Sequence, residues 1–555
     1  MWWRRCLAVA GLAAALVPTG TALAVAPAEP RPVRVVLYPI QLKGERVPAR
    51  PQLERVLRRL SRFMEQVTYG RILVSGEVAP PFRAPTRATA GNIIPQATLE
   101  AAVKLATAAG VSPDGAIPLF VAPSRVDKQS FSNGNYSVIQ GHGLRRSQET
   151  VAHEFGHMLG LDHARAPRAC PRPFRPAACA ARPRGINTYA DVFDVMGYGQ
   201  DRFGAFQLAA LGVAPVHDAA PGSAKVTVRP LQAPHPTLLR LRAAASDWYV
   251  ESRTVAASRD TRRAVRLPPG VAISRVTPRY VPGSDGRFPP PLRVPATSPA
   301  KACAAGRACL LRQLFRRGRT LTVPGTFRLR VLGRGPGGAT RVRTTWLDRS
   351  PPELSVVSAS IVRRFGGGSE LQAEVGARAT GAGVASVLID QGGVLSRIDP
   401  DDVPGLVAGK HGKAVVRVPL APGAPTATLR LLDAAGNTSA PASIDLQGLP
   451  AHTGATVSFD PAPAAYETRA TQLPAGRPVT VSGATDPSFA GLVWTLDIIG
   501  TATSLDLPIE PDGTFSGSWT PSTPGLYKVV AEGPIERIPD SIELRRERFV
   551  AWVRG

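Results

Sequence analysis

Cysteine is scarce, with five in 555 residues, and Cys6 lies in an N-terminal segment that reads as removable. The other four fall in two close pairs, Cys170 with Cys179 and Cys303 with Cys309. Neither pair has the short spacing of a zinc knuckle, so a cysteine-built zinc site is not expected. Disulfides in an oxidising compartment fit better; three connectivities stay open, and two local staples are the simplest. Long apolar runs are missing too. Beyond the N-terminus no stretch reaches about 18 apolar residues, which argues against a transmembrane helix and for a soluble mature chain. Acid is short: 41 Asp and Glu stand against 67 Lys and Arg, for a formal net charge of +26. Yet no block of five or more basic residues and no nucleic-acid-binding motif occurs, so specific nucleic-acid binding is not expected. The excess of arginine, with alanine, glycine and proline, is what GC-rich coding produces without selection; weak adhesion to an anionic cell-wall polymer is the partner reading it leaves open. No EF-hand loop or glycine-rich repeat appears, so a calcium site has no support.

What is present begins with a targeting signal. Met1 to Arg5 is short and positive, Cys6 to Val17 is apolar, and Ala22-Leu23-Ala24 is a small-x-small cleavage site. That three-part layout is a secretory signal peptide over 1–24, with cleavage after Ala26 the alternative. Arg4-Arg5 lacks most of the twin-arginine consensus. The chain is therefore expected outside the cell, secreted or associated with the wall.

The remaining length calls for several domains. Over 25–215 strands and helices alternate: strands at Val33–Ile40, Arg71–Val78, Ile117–Ala122 and Tyr136–Gln140, and helices at Gln52–Tyr69, Thr98–Ala109 and Gln148–Leu159. This predicts a mixed α/β domain. Beyond about 215 helical periodicity all but disappears. A β-rich domain is expected over 216–347, with strands at Lys225–Val228, Thr237–Leu241 and Trp248–Ser252. Two units of about 100 residues follow, 348–447 and 448–555, each with short strands spaced by turns in the manner of immunoglobulin-like sandwiches. Neither has the cysteine pair of antibody domains.

The chemistry is concentrated in residues 153–163, His-Glu-Phe-Gly-His-Met-Leu-Gly-Leu-Asp-His. His153 and His157, four apart, share one helical face and offer two neutral nitrogens to one zinc ion. Glu154 is placed to take a proton from a zinc-activated water. Gly160 lets the chain turn, and His163 comes back as third ligand, leaving the fourth position open for water. The five-residue HExxH string alone arises by chance in roughly one such chain per hundred; requiring Gly160 and His163 as well lowers that roughly a thousandfold. Downstream runs Tyr189-Ala190-Asp191-Val192-Phe193-Asp194-Val195-Met196-Gly197-Tyr198.

Together these two segments resemble the metzincin clan of zinc metallopeptidases, whose extended histidine motif is followed by a methionine turn. The wording is most similar to the gametolysin (autolysin) family and its bacterial relatives: His163-Ala164, then Tyr189 to Gly197. The resemblance covers roughly 30–345 and includes Trp248 to Arg253, which is similar to the β-domain following such catalytic domains. It implies an α/β metzincin-like catalytic domain ahead of the β-domain and the two sandwiches. It also implies that Met196 forms an apolar floor beneath the imidazoles. Tyr198 stands where some metzincins carry a tyrosine that switches between zinc and the oxyanion; a buried structural tyrosine is the other reading. Asp191 and Asp194 either cap the turn or bond a ligand imidazole. His142 lines the substrate edge or is an ordinary loop histidine. A cysteine-donating propeptide is not expected, since Val33 follows the signal closely.

The expected function is zinc-dependent hydrolysis of internal peptide bonds in extracellular protein, with substrate lying beside an edge strand near Tyr136–Gln140. The alternative is a surface or wall-associated binding protein with immunoglobulin-like modules and an inactive peptidase-like domain.

Overall fold

The computed structural model describes residues 30–554, apart from 42–47, 85–95, 113–115, 123–130, 133–135, 141–147, 168–169, 171–174, 182–185, 198, 200, 245, 257–264, 278–289, 297–310, 312, 365–367, 399–411, 450, 454–455, 461–470, 475, 486–488, 500–501, 522–524 and 539–540. The expected signal segment, His142, Tyr198, Cys303 and Cys309 lie outside the described residues. The chain is mostly β-sheet, arranged in many small sheets.

The first sheet has helices on both faces. Its strands are β1 (Arg31–Gln41), β2 (Ile72–Val78), β3 (Phe82–Arg83), β4 (Ala116–Ala122), β5 (Phe131–Ser132) and β6 (Ser137–Gln140). They run β2-β1-β4-β6-β5, with β3 on the end of β1; all pairings are parallel except β5 with β6. β1 is central and buried on both faces, which is why it reads as a nearly continuous apolar run. Val33, Val35 and Leu37 join one core with helix α1 (Arg50–Val67) and helix α3 (Gln148–Met158); Val36, Tyr38 and Ile40 join another with helix α2 (Gln96–Ala108). α1 starts with Pro51 in its first turn, where a missing N–H costs nothing. It buries Leu53, Val56, Leu57, Leu60, Phe63, Met64 and Val67, each contributing at most roughly 1.5–3 kcal/mol.

One expectation is corrected here. β6 does not form the sheet edge, because β4 pairs with it on one side and β5 on the other. The outer strand is Phe131–Ser132, whose two residues are too short to give a periodic signal.

Residues 216–347 form two larger sheets around a shared core, with a small two-stranded sheet of Val255–Ala256 and Val265–Arg266 beside them. Leu239, Leu241, Trp248, Val250 and Ile273 face Leu321, Phe327, Leu329, Val331, Val342 and Trp346. The boundary near residue 215 does not divide the hydrophobic core. Leu231, Leu238, Tyr249 and Val276 belong to the same cluster as α1, α3 and β1. The Tyr69 hydroxyl also donates to the Leu231 carbonyl, at 2.7 Å.

Farther along, Glu353–Arg364, Gly368–Arg378, Gly412–Pro419 and Ala451–Thr453 make one four-stranded sheet. Val384–Gln391, Val394–Ile398, Thr426–Asp433 and Ala442–Asp445 make a second, and the two enclose one core in a sandwich. The last unit encloses Phe459, Val481, Trp494, Leu496 and Phe515 between a three-stranded and a five-stranded sheet. It ends in a hairpin of Gly525–Ile538 with Ser541–Arg554. The second of these strands was not anticipated, since its dense Arg and Glu obscure any alternation.

Candidate metal centre

α3 carries His153 and His157 one turn apart, and the chain leaves it at Gly160 with φ +85°. A left-handed conformation there suits glycine best, since it has no β-carbon to clash, and it reverses the chain so that His163 faces the helix. Asp162 fixes the turn: its Oδ1 accepts from the His163 N–H at 2.6 Å, while its carbonyl accepts from Gln207 Nε2 at 3.2 Å. The result brings His157 Nε2 and His163 Nε2 to 3.0 Å. One nitrogen from each of the three histidines lies within 4.8 Å of the others.

The outer ring nitrogens fix how two of these imidazoles present themselves. His153 Nδ1 lies 2.8 Å from the Val195 carbonyl, and His157 Nδ1 lies 2.7 Å from the Leu161 carbonyl. A carbonyl only accepts, so each Nδ1 carries the proton and donates; each Nε2 is left with a lone pair. Burial first, and His157 second, push the His153 imidazole down to about 4, against the opposing hydrogen bond to Val195. Near neutral pH it is therefore uncharged, the form that ligates a cation. Two such nitrogens, with a third from His163 beside them, could hold a divalent ion. Zinc–nitrogen bonds of about 2.0–2.1 Å place tetrahedral donors roughly 3.4 Å apart, against 3.0 Å for the His157–His163 pair and an outer limit of 4.8 Å for the trio.

Glu154 is buried on the same helix, and its backbone carbonyl accepts from Ser137 Oγ at 3.1 Å, tying α3 to β6. Met196 is fully buried under α3. A Cβ added at Gly156 would meet its Sδ at 2.5 Å, so glycine between the two helical histidines is what lets the thioether approach. The turn itself is held by carboxylates. Asp191 accepts from the Phe193 N–H at 2.9 Å, and Asp194 from the N–H groups of Met196 at 2.9 Å and Gly204 at 2.8 Å. Both aspartates thus cap the turn, while the Nδ1 atoms of His153 and His157 go to backbone carbonyls.

The sequence placed Tyr189 at the start of the methionine-turn segment without a role; its ring centroid lies 4.2 Å from that of His163 and 5.9 Å from that of His153. It is the described phenol beside the histidines. Nor did it single out the charged layer beneath the turn. Arg293 donates to Asp191 Oδ2 from Nε at 2.9 Å and to Glu251 Oε1 at 3.2 Å. Arg253 donates to Glu251 Oε1 at 3.1 Å and to the Phe203 carbonyl at 3.2 Å. Both guanidinium groups lie over the Phe193 ring, at 5.5 Å for Arg253 and 5.4 Å for Arg293. Glu251 also accepts from the Ala205 N–H, through a short contact. Burial opposes the charge of Arg293, but Asp191 and Glu251 outweigh it and its pKa is raised. Burial and the neighbouring Asp191 push the Asp194 carboxyl up to about 7. Thus residues 251, 253 and 293 of the β-region grip the loop under the histidines. The segment Trp248 to Arg253 was the only hint of them. Of the expected disulfides, Cys170–Cys179 is formed.

No family model and no curated protein matches the chain. Solved structures give distant similarities only. Fibronectin(III)-like modules of Clostridium thermocellum CbhA are 11% identical, covering 36% of this chain and 93% of theirs, at a TM-score of 0.12. Red sea bream transglutaminase is 13% identical over 54% of this chain and 53% of its own, at 0.14. Dimeric latent PorU from Porphyromonas gingivalis is 9% identical over 61% and 32%, at 0.19. Likeness at these scores carries no argument about this chain.

Proposed function

We propose that the protein is a secreted zinc-dependent endopeptidase of metzincin type that hydrolyses peptide bonds of extracellular proteins. The observation that carries this reading is the convergence of His153, His157 and His163, with Glu154 buried beside them and two of the imidazoles held in the ligating tautomer. When bound, zinc supplies Lewis acidity, polarising the scissile carbonyl and lowering the pKa of water from about 15.7 toward 7. The chain supplies the rest. Glu154 accepts a proton from the attacking water and returns it to the leaving amine nitrogen, which otherwise leaves poorly. Its burial keeps that proton from bulk solvent. Met196 packs under α3 and, through the 2.9 Å bond from the Ala164 N–H to its carbonyl, ties the turn to the residue after His163. Tyr189, whose ring lies beside His163, is the described phenol that could stabilise negative charge developing on the carbonyl oxygen, the role the sequence suggests for Tyr198. Main-chain pairing with an extended substrate falls to the β5 side of the sheet.

Glu154 also distinguishes this reading from an inactive, adhesive domain, since a site that only stores metal has no use for a buried base. Glu154→Gln tests it against casein: the variant should keep stoichiometric zinc and lose cleavage by at least about a hundredfold. Cleavage at the wild-type rate would refute the role of Glu154 and the reaction with it.

A further inference from the structure

The sheet formed by Ser223–Val228, Thr340–Trp346, Phe327–Arg334 and Thr320–Val323 has two unlike faces. Inward, Val342, Val331, Leu329, Phe327, Leu321 and Trp346 pack into the core. Outward, the exposed charged positions are Lys225, Arg343, Arg330, Arg328, Arg341 and Arg334, with serine and threonine between them. Register places Lys225 opposite Arg343, and Arg343 opposite Arg330. Three cations thus stand in one row on strands about 4.8 Å apart, well inside the screening length of about 8 Å at physiological salt. Arg328 and Arg341 flank the row, and Arg316, Arg317 and Arg319 are exposed just before the outermost strand. The four strands contain no Asp or Glu.

Composition does not account for this arrangement. Like charges directly opposite one another destabilise a sheet. The sandwich over 348–447 carries arginine on its exposed strands as well, but there Arg378 pairs with Glu353, and Arg417 donates to Gln372. A bias toward arginine acts on both regions alike; of the two, among the described residues, the 223–346 sheet is the one that segregates one sign on one face.

We infer that this face binds an extended acidic polysaccharide, with the Lys225–Arg343–Arg330 row gripping its sulfate, phosphate or carboxylate groups. Guanidinium forks match such anions, and the interleaved hydroxyls of Thr227, Thr320, Thr322 and Thr345 suit sugar hydroxyls. The exposed residues of the four strands include no aromatic for bases to stack on, against single-stranded nucleic acid. They also offer no large apolar side chain to enter a bilayer. The face holds whether or not the histidine centre is catalytic.

The test uses the full-length protein and heparin, a linear sulfated polysaccharide, as probe. Lys225→Thr/Arg330→Thr/Arg343→Thr is compared with Arg55→Gln/Arg59→Gln/Arg62→Gln, which removes the same charge from the exposed face of α1. The sheet variant should bind heparin about tenfold more weakly at about 0.15 M salt, with a flatter salt dependence, and the α1 variant less than about twofold more weakly. The sheet variant should also melt no lower than wild type, because the row it removes is self-repelling. Equal losses in both variants would mean that net charge alone drives binding; no loss in the sheet variant would exclude the site. Tighter retention of duplex DNA or phosphatidylserine vesicles than of heparin, abolished by the sheet variant, would overturn the occupant.

Discussion

Replacing Arg293 by methionine isolates the clamp between the β-region and the methionine turn. Methionine keeps much of the stem volume and can still lie against Phe193, but it removes the bonds to Asp191 and Glu251. Asp191, Arg293 and Glu251 are each nearly inaccessible, so the two carboxylates lose their counter-charge without gaining water. Breaking a buried pair in this way costs about 3–5 kcal/mol. At roughly 2–4 °C per kcal/mol for domains of a few hundred residues, the melting temperature should fall by about 6–20 °C. Calorimetry with zinc and after chelation measures the drop in both states. A cycle with Asp191→Asn apportions it: the pair should couple by more than about 1 kcal/mol. A melting point within about 2 °C of wild type would refute the claim that this buried guanidinium holds the turn.

Three further outcomes follow. Gly160→Ala forces a β-carbon into a left-handed turn at φ +85°; it should lose about 1–2 kcal/mol of stability and weaken zinc retention in a chelator competition. Residues 25–215 alone should not fold cooperatively, because Leu231, Leu238, Tyr249 and Val276 complete their core; residues 25–347 should fold and cleave casein, checked by circular dichroism and assay. Asp194 has its folded pKa, about 7, above its unfolded value of 3.8. The stability it confers is full below about pH 4 and lost as pH rises through about 7. Denaturation of wild type against Asp194→Asn should therefore show the wild-type advantage shrinking between about pH 4 and pH 7.

Much of the first domain is legible because its signals are local. β1, α1, β2 and β4 announce themselves by continuous apolar runs, a 3.6-residue stripe and glycine ends, and their observed bounds fall within a few residues of the expected ones. The histidine cluster is legible for the same reason: its three histidines span eleven residues, and helix pitch plus one left-handed glycine dictate their convergence. What lies hidden is long-range. Nothing near Arg293 or Glu251 in the chain reveals that they meet Asp191, because that contact exists only once two sheets and a loop have packed. Tyr189 is hidden likewise, as its approach to His163 depends on the turn closing over α3. The strands Phe327–Arg334 and Thr340–Trp346 alternate arginine with apolar residues, yet composition so rich in arginine makes that alternation look like noise until the buried face is seen.

The most direct measurement is the metal content of the purified protein, alongside His157→Ala. Close to one zinc per wild-type chain is expected, removable together with casein cleavage by a chelator and restored with it on adding zinc back. A wild-type chain free of transition metal, or a His157→Ala variant that holds zinc as tightly, would contradict that expectation.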